Sequence, residues 1–361
     1  MFVARAHVGY NDRAILTGAD AGAAEDLMDQ NVTSDGSGII DVTIIGAGPT
    51  GLFGAFYAGM RNMSVKIIDA LPEPGGQLAA LYPEKYIYDA PGFPKVVAKD
   101  LVKMLVEQAA QWNPQMCLGE RVLTLTKNDE GNWVVGTDKA QHETRTVVIC
   151  AGVGAFAPNK LNAPGVSDLE GVGVHYFVKE KSAFKDKNLL IVGGGDSAVD
   201  WALNLQEVAR SITLIHRRDE FRAHESSVTE MRNSSARILT PYEVKEVSGN
   251  GKIERVTILQ NKTNEEEVLD VDAILVNIGF KADIGPIRDW GLTLEKRGII
   301  VNNRMETNLP GVYAAGDIAA EEVKMNLIAT GYGQAAMAVN VAKNFIDPKS
   351  SIFPGHSSEK M

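Results

Sequence analysis

The feature that most restricts this chain is a repeat of one whole βαβ unit. Residues 41 to 69 read as a short apolar strand, the turn Gly46-Ala47-Gly48-Pro49-Thr50-Gly51, an amphipathic helix through Arg61, and a second strand Val65-Lys66-Ile67-Ile68-Asp69. Residues 187 to 216 read the same way: strand Leu189-Leu190-Ile191-Val192, turn Gly193-Gly194-Gly195-Asp196-Ser197-Ala198, helix to Arg210, and strand Ile212-Thr213-Leu214-Ile215-His216. From the first glycine to the residue ending the second strand is 23 positions in both copies. Short apolar runs that stop at glycine are buried parallel strands, and strands alternating with helices specify an α/β fold.

Each turn follows a strand and opens a helix, which separates a phosphate cradle from an ordinary glycine-rich turn. The first glycine makes the tight turn and the second lets the backbone approach a pyrophosphate. The third position, Gly51 or Ala198, keeps helix and strand close. The helix N-terminus offers free N–H groups and a positive dipole end to the phosphates. Gly46, Gly48 and Gly51 are thus candidate cofactor residues of one Rossmann-like domain, and Gly193, Gly195, Asp196, Ser197 and Ala198 of another. The strand ends separate the two ligands. Asp69 stands where a carboxylate accepts hydrogen bonds from an adenosine ribose, as FAD or NAD requires. In the second unit that place holds His216, followed by Arg217, Arg218 and Arg222. A carboxylate there would repel a 2′-phosphate, whereas guanidinium groups bind it, so the second site favours NADPH. The alternative is a solvated arginine turn.

A chain of 361 residues is long enough for two or three domains with cores of their own. With 45% hydrophobic residues and no apolar run near the roughly 20 needed to cross a bilayer, no membrane span is expected. The N-terminus lacks the basic, apolar and small-residue pattern of a secretory signal, so a cytoplasmic location is expected. Residues 1–37 end in Thr33-Ser34-Asp35-Gly36-Ser37 and read as a flexible leader. A net charge of -10 argues against nucleic acid as partner but leaves room for a local basic patch. The only two cysteines, Cys117 and Cys150, make neither a disulfide framework nor a metal-spacing motif, and both are expected to be buried.

Near the C-terminus, Thr307-Asn308-Leu309-Pro310-Gly311-Val312-Tyr313-Ala314-Ala315-Gly316-Asp317 delivers a Gly-Asp pair at a strand end. It resembles the second FAD motif of the two-dinucleotide flavoprotein disulfide reductase superfamily. That resemblance implies that Asp317 bonds the FAD ribityl chain and that the C-terminal segment returns to the first domain. The NADPH domain, residues 156–283, is then inserted into an FAD domain made of 38–155 and 284–361. The crossovers are then expected near Ala151 to Ala155 and Gly279 to Lys281, where glycines allow hinges. The run His216-Arg217-Arg218-Asp219-Glu220-Phe221-Arg222-Ala223 resembles thioredoxin reductases, whose cysteine pair is replaced here by Tyr176-Phe177-Val178-Lys179. A dithiol relay within the chain is therefore excluded.

The strings Pro74-Gly75-Gly76-Gln77-Leu78-Ala79-Ala80-Leu81-Tyr82-Pro83-Glu84-Lys85, Gly154-Ala155-Phe156 and Gly193 through Ala202 are similar to ferredoxin (flavodoxin)–NADP reductases of the thioredoxin-reductase-like type, from Ile39 onward. The resemblance implies FAD contacts at Thr50, Asp69, Gln77, Tyr82, Val122, Phe156, Asp317 and Ser358. It also implies a homodimer, with Tyr82 stacking on one flavin face and His356 of the C-terminal tail on the other. No side chain is assigned as acid or base, since NADPH gives its hydride to the flavin. The leader and Pro91, in a loop near the flavin, depart from the simplest family pattern. A helix starting near Thr330-Gly331-Tyr332-Gly333-Gln334 could aim its positive end at the flavin; an ordinary packing helix is the alternative. Two other functions stay open: an NADPH-dependent reductase of an external disulfide, and an FAD-based redox sensor.

Overall fold

The computed structural model describes residues 38–296, 298–323 and 325–355, with backbone alone at Ala155 and Phe156. The leader, His356 and Ser358 lie outside the described residues. Residues 39–361 cluster as one compact unit, whose two largest sheets have seven and five strands.

The first sheet starts with the first repeat: β1 (Ile40–Ile45), α1 (Pro49–Met60) and β2 (Val65–Asp69). Next come α2 (Gln77–Leu81), α3 (Ala98–Ala110), β3 (Gln115–Leu118) and the meander β4 (Val122–Lys127), β5 (Trp133–Thr137) and β6 (Gln141–Ile149). The antiparallel ribbon strand β7 (Ala155–Pro158) leads out to the second lobe. That lobe holds β8 (Val174–His175), β9 (Asn188–Gly193), α4 (Asp196–Asn204), β10 (Ser211–Ile215), α5 (Glu225–Arg232) and β11 (Arg237–Leu239). It continues with β12 (Tyr242–Ser248), β13 (Arg255–Gln260), β14 (Glu266–Asp270) and β15 (Ala273–Asn277), and the chain returns through β16 (Phe280–Asp283). β17 (Val312–Ala314) and α6 (Ile328–Ile346) complete the first lobe.

In the first sheet the order is β3-β2-β1-β6-β5-β4, with β17 also on β6. The β3-β2-β1-β6-β17 pairs are parallel and the β6-β5-β4 pairs antiparallel. Strand period decides the packing: Val42, Ile44, Val65 and Ile67 face one core cluster, while Ile45 and Ile68 face the other. The second sheet, β8-β15-β9-β10-β11, is wholly parallel. Leu190 and Val192 face one of its clusters and Leu189 and Ile191 the other. Both faces are covered, which is why these strands read as unbroken apolar runs. Ile44 and Ile191 are fully buried, and each such side chain contributes about 1.5–3 kcal/mol.

Thus β17, from the far end of the chain, sits in the sheet begun by β1. The β7–β16 ribbon pairs Phe280 with Pro158 and Asp283 with Ala155, beginning within the two stretches expected to carry the crossovers and running a few residues past each. The last helix starts at Ile328, near Thr330 as expected. Two expectations need correction. The second repeat's helix stops at Asn204 and tightens into a 3-10 turn over Leu205–Glu207 rather than reaching Arg210. Cys117, expected buried, is only half-buried, because β3 is the edge strand of its sheet; Cys150 is buried as expected. Among the described residues no helix is long and apolar enough to cross a membrane.

Candidate functional site

At the first turn, Gly46 takes φ +112°, a conformation that side chains disfavour, and a Cβ there would fall 2.3 Å from the Cys150 carbonyl oxygen. A Cβ on Gly51 would meet the Gly46 oxygen at 1.9 Å, so the helix can seat this close to the strand only with glycine. Gly48 has nothing within 4 Å of the corresponding position: its open side faces a cavity of about 1370 Å³. That exceeds the roughly 300–1,000 Å³ of ordinary small-ligand pockets and suits a long ligand.

Asp69 closes the far side of the turn. Its carboxylate accepts from the Ala47 amide at 2.5 Å and the Leu71 amide at 2.8 Å. Burial raises its pKa, and the Leu71 and Ala47 bonds partly offset the rise. Thr50 is clasped between two distant segments, since a Cβ on Gly316 or Gly331 would lie 2.8 or 2.3 Å from its hydroxyl oxygen. The Gly316 amide donates to Gln334 Oε1 at 2.8 Å, which ties the turn carrying Asp317 to the first turns of α6. The cavity is lined by Gly46, Gly48, Thr50, Asp69, Gln77, Tyr82, Val122 and Asp317, all expected at the FAD site; Gly51 sits beneath, as a spacer. Burial pushes the Tyr82 phenol up to about 12, with the Asp317 and Asp89 carboxylates adding to the rise, so the ring is neutral. The start of α6, at Leu327 and Ile328, also borders the cavity.

The second turn repeats the geometry. A Cβ on Gly193 would fall 2.3 Å from the Asn277 carbonyl oxygen, and Gly195 is open. Residues 217–224 fold back over it: the Arg222 amide donates to the Gly194 oxygen at 2.7 Å and the His224 amide to Asp196 Oδ1 at 2.9 Å. The His216 ring lies against Gly194, where a Cβ would meet it at 2.3 Å, and stacks on Phe221 at 5.4 Å. Its pKa is lowered, first by burial and then by Arg217, Arg218 and Arg222, against a raising bond to the Glu220 carbonyl. Among the described residues none of these three arginines is in an ion pair, and Asp219 is already engaged by Lys262 at 2.9 Å. Three free cations beside a glycine cradle are what a 2′-phosphate needs. Of the second turn only Asp196 reaches the large cavity, which the flank of α4, including Asp200 and Leu203, closes instead. The two cradles are distinct sites, and the residues present at each fit a dinucleotide.

Several contacts were not read from the sequence. Lys85 Nζ pairs with Asp200 across the lobes at 2.5 Å, and Tyr82 packs against both the first-lobe core and the second-lobe core. Both residues stand inside strings singled out earlier, but nothing in one sequence pairs them. Arg61 bonds Asn340, the Ser350 hydroxyl at 2.9 Å and the Ser351 carbonyl at 2.8 Å, and so anchors the segment leading to the tail. Cys117, Glu120 and His142 gather within 4.8 Å of one another, a cluster the cysteine spacing did not predict. The Lys66 ammonium can only donate, and it lies 3.1 Å from His142 Nδ1; the other ring nitrogen therefore donates to Glu120, at 2.6 Å. This is a closed hydrogen-bond network. Cys150 borders the cavity, but burial pushes its thiol up to about 12, so it holds no reactive thiolate. Both cysteines are free.

The sequence pattern of pyridine nucleotide-disulphide oxidoreductases matches residues 40–342. A ferredoxin–NADP reductase of Halalkalibacterium halodurans is 55% identical over 89% of this chain and 97% of its own. One from Geobacillus thermodenitrificans is 51% identical over the same shares. Among solved structures, thioredoxin reductase of T. acidophilum superposes with a TM-score of 0.73 at 27% identity, over 86% of this chain and 99% of that one. Thioredoxin reductase of Lactococcus lactis gives 0.72 at 27% identity, over 85% and 99%. With two dinucleotide cradles and no cysteine pair, the chain belongs to the pyridine nucleotide-disulphide oxidoreductase family, in the same group as these ferredoxin–NADP reductases.

Proposed function

We propose that the chain is an FAD-dependent ferredoxin (or flavodoxin)–NADP reductase, with no cysteine of its own in the electron path. The observation that carries this reading is the pair of cradles: one opens onto a dinucleotide-sized cavity, the other lies beside a segment whose Arg217, Arg218 and Arg222 form no ion pair among the described residues. The relatives named ferredoxin–NADP reductase, matched over nearly their whole length, support it. One NADPH and two oxidised carriers give NADP⁺, a proton and two reduced carriers. Bound FAD supplies the passage between hydride and single-electron chemistry.

The chain's residues position and tune. Gly46, Gly48 and the α1 N-terminus hold the FAD pyrophosphate. Asp69 takes the adenosine ribose and Asp317 the ribityl chain, while Thr50, Gln77, Val122 and Phe156 complete the contacts. Tyr82 stacks on the isoalloxazine, its ring held between both lobes. Gly193, Gly195, Asp196, Ser197 and Ala198 hold the NADPH pyrophosphate, and His216 with Arg217, Arg218 and Arg222 the 2′-phosphate. The assembly we infer is a cytoplasmic homodimer; exposed Met337 and Phe345 on α6 support a subunit contact, and a monomer mass by light scattering would overturn it. An anaerobic titration tests the activity. NADPH should bleach the flavin and oxidised ferredoxin restore it; turnover of a disulfide without ferredoxin would overturn the reading.

A further inference from the structure

Strand order fixes where the second half of a dinucleotide lies. β9 carries the second glycine turn; β10, followed by His216, stands on one side of it, and β15 and then β8 on the other. The order reverses at β9, and in such sheets a dinucleotide straddles that point beyond the carboxyl ends of the strands. His216 and the arginines take the adenosine end. The nicotinamide half therefore crosses the ends of β15 and β8.

The side chains at those ends are polar and lack partners. Asn277 closes β15 in register with Gly193, and strands so paired lie about 4.8 Å apart. The residue is half-buried, but its Oδ1 is wholly buried without a hydrogen-bond partner, and neither end of its amide is bonded among the described residues. His175 closes β8, and its Nε2 is orphaned in the same way. It pairs with Leu275, two residues before Asn277, so both side chains leave the sheet on one face. That is the face covered by α4, because Leu275 packs in one cluster with Ala198, Val199 and Ala202. A buried polar atom left unbonded destabilises the fold, and a ligand that bonds it relieves the loss. An amide offers one acceptor and two donors in a plane, which suits the neighbouring hydroxyls of a ribose. The Cβ–Cγ torsion of asparagine has a broad well, and with no internal bond to break the amide can turn both atoms to the crevice. One strand from the cradle is the reach of the ribose next to the pyrophosphate; His175, two strands out, lies beyond it.

We propose that Asn277 belongs to the NADPH site and binds the hydroxyls of the nicotinamide-side ribose. This rests on the functional reading above. The test is calorimetric, on the FAD-loaded enzyme, with three probes: NADP⁺; 2′-phospho-ADP-ribose, which keeps that ribose but has no nicotinamide; and 2′,5′-ADP, which has neither. Asn277→Leu removes both polar atoms at similar volume. It should weaken NADP⁺ and 2′-phospho-ADP-ribose about tenfold each and leave 2′,5′-ADP within about twofold. The thermal midpoint without nucleotide should not fall, because the amide bonds nothing inside the lobe. Arg217→Ala with Arg218→Ala is the counterpart and should weaken all three probes. A wild-type enzyme that binds all three, with unchanged affinities in the Asn277→Leu variant, would overturn the role of Asn277 alone. A loss confined to NADP⁺ would overturn the ribose assignment, since the contact would then be with the carboxamide. Equal losses for all three probes, or a lowered midpoint, would overturn it too, marking Asn277 as a support of the cradle. A wild-type enzyme that binds none of the three would overturn the functional reading and this assignment with it.

Discussion

At the residue scale, the proposed preference for NADPH rests on a few cations. Arg217 and Arg218 are exposed and unpaired among the described residues, so losing each costs toward the lower end of the ~1.5–3 kcal/mol of a charged hydrogen bond. Arg217→Ala with Arg218→Ala should weaken NADPH by about a hundredfold and leave NADH within about threefold, as read by flavin reduction at varied cofactor. Equal losses would remove the 2′-phosphate from this site. His216 adds a pH signature. Its folded pKa lies below the ordinary 6.5 because of burial and the three arginines, so near and below that pH the ring is short of its proton. A bound 2′-phosphate neutralises the arginines' field and lifts the pKa, while the phosphate's own second proton, lost at about pH 6, runs the other way; comparing wild type with His216→Gln should isolate a proton taken up by the ring with NADP⁺ and not with NAD⁺. Calorimetry in two buffers of different ionisation enthalpy reads this directly, and equal uptake for both cofactors would contradict it. The place of these residues beside the second glycine turn was legible because the strand ends of a βαβ unit lie at a fixed distance from its turn. Lys85 and Asp200 were not, because a contact across lobes leaves no local pattern.

At the scale of elements, the repeat predicted both glycine turns and their strands almost to the residue, since burial on both faces dictates unbroken apolar runs. It failed where helices end: Asn204 stops α4 without glycine or proline to mark the place. It also failed at Cys117, whose exposure depends on β3 being the edge strand. The tail shows what an element can owe to one distant side chain. Arg61 sits at the C-cap of α1, is only 8% exposed, and holds Asn340 of α6 together with the backbone at Ser351. Arg61→Leu should free residues 350–355 while α1 and α6 keep their packing. Proteolysis near Phe353 should then speed severalfold with FAD still bound, and the oxidase rate of reduced enzyme should change in the same direction as in a chain truncated before Phe353. Unchanged cleavage would mean that the segment is held by other contacts.

At the scale of the whole molecule, the two lobes are separately built yet closed on one another. Each has its own sheet, mixed in the first and wholly parallel in the second, and its own pair of core clusters, and between them run the Lys85–Asp200 ion pair, the Tyr82 ring and the β7–β16 ribbon. The ribbon makes the second lobe a detachable cassette. Because Pro158 and Phe280 face each other in register, the chain leaves and re-enters the first lobe at one point. A two-residue Asn-Gly turn in place of residues 159–279 would close the ribbon into an ordinary hairpin. The shortened protein should fold, bind FAD through Gly48, Asp69 and Asp317, and show a flavin spectrum that dithionite bleaches and NADPH does not. Failure to hold FAD would show that the flank of α4 is a wall of the cavity rather than its cover. Retention would mean that new electron donors can be fitted to this flavin lobe by exchanging what hangs from two strands.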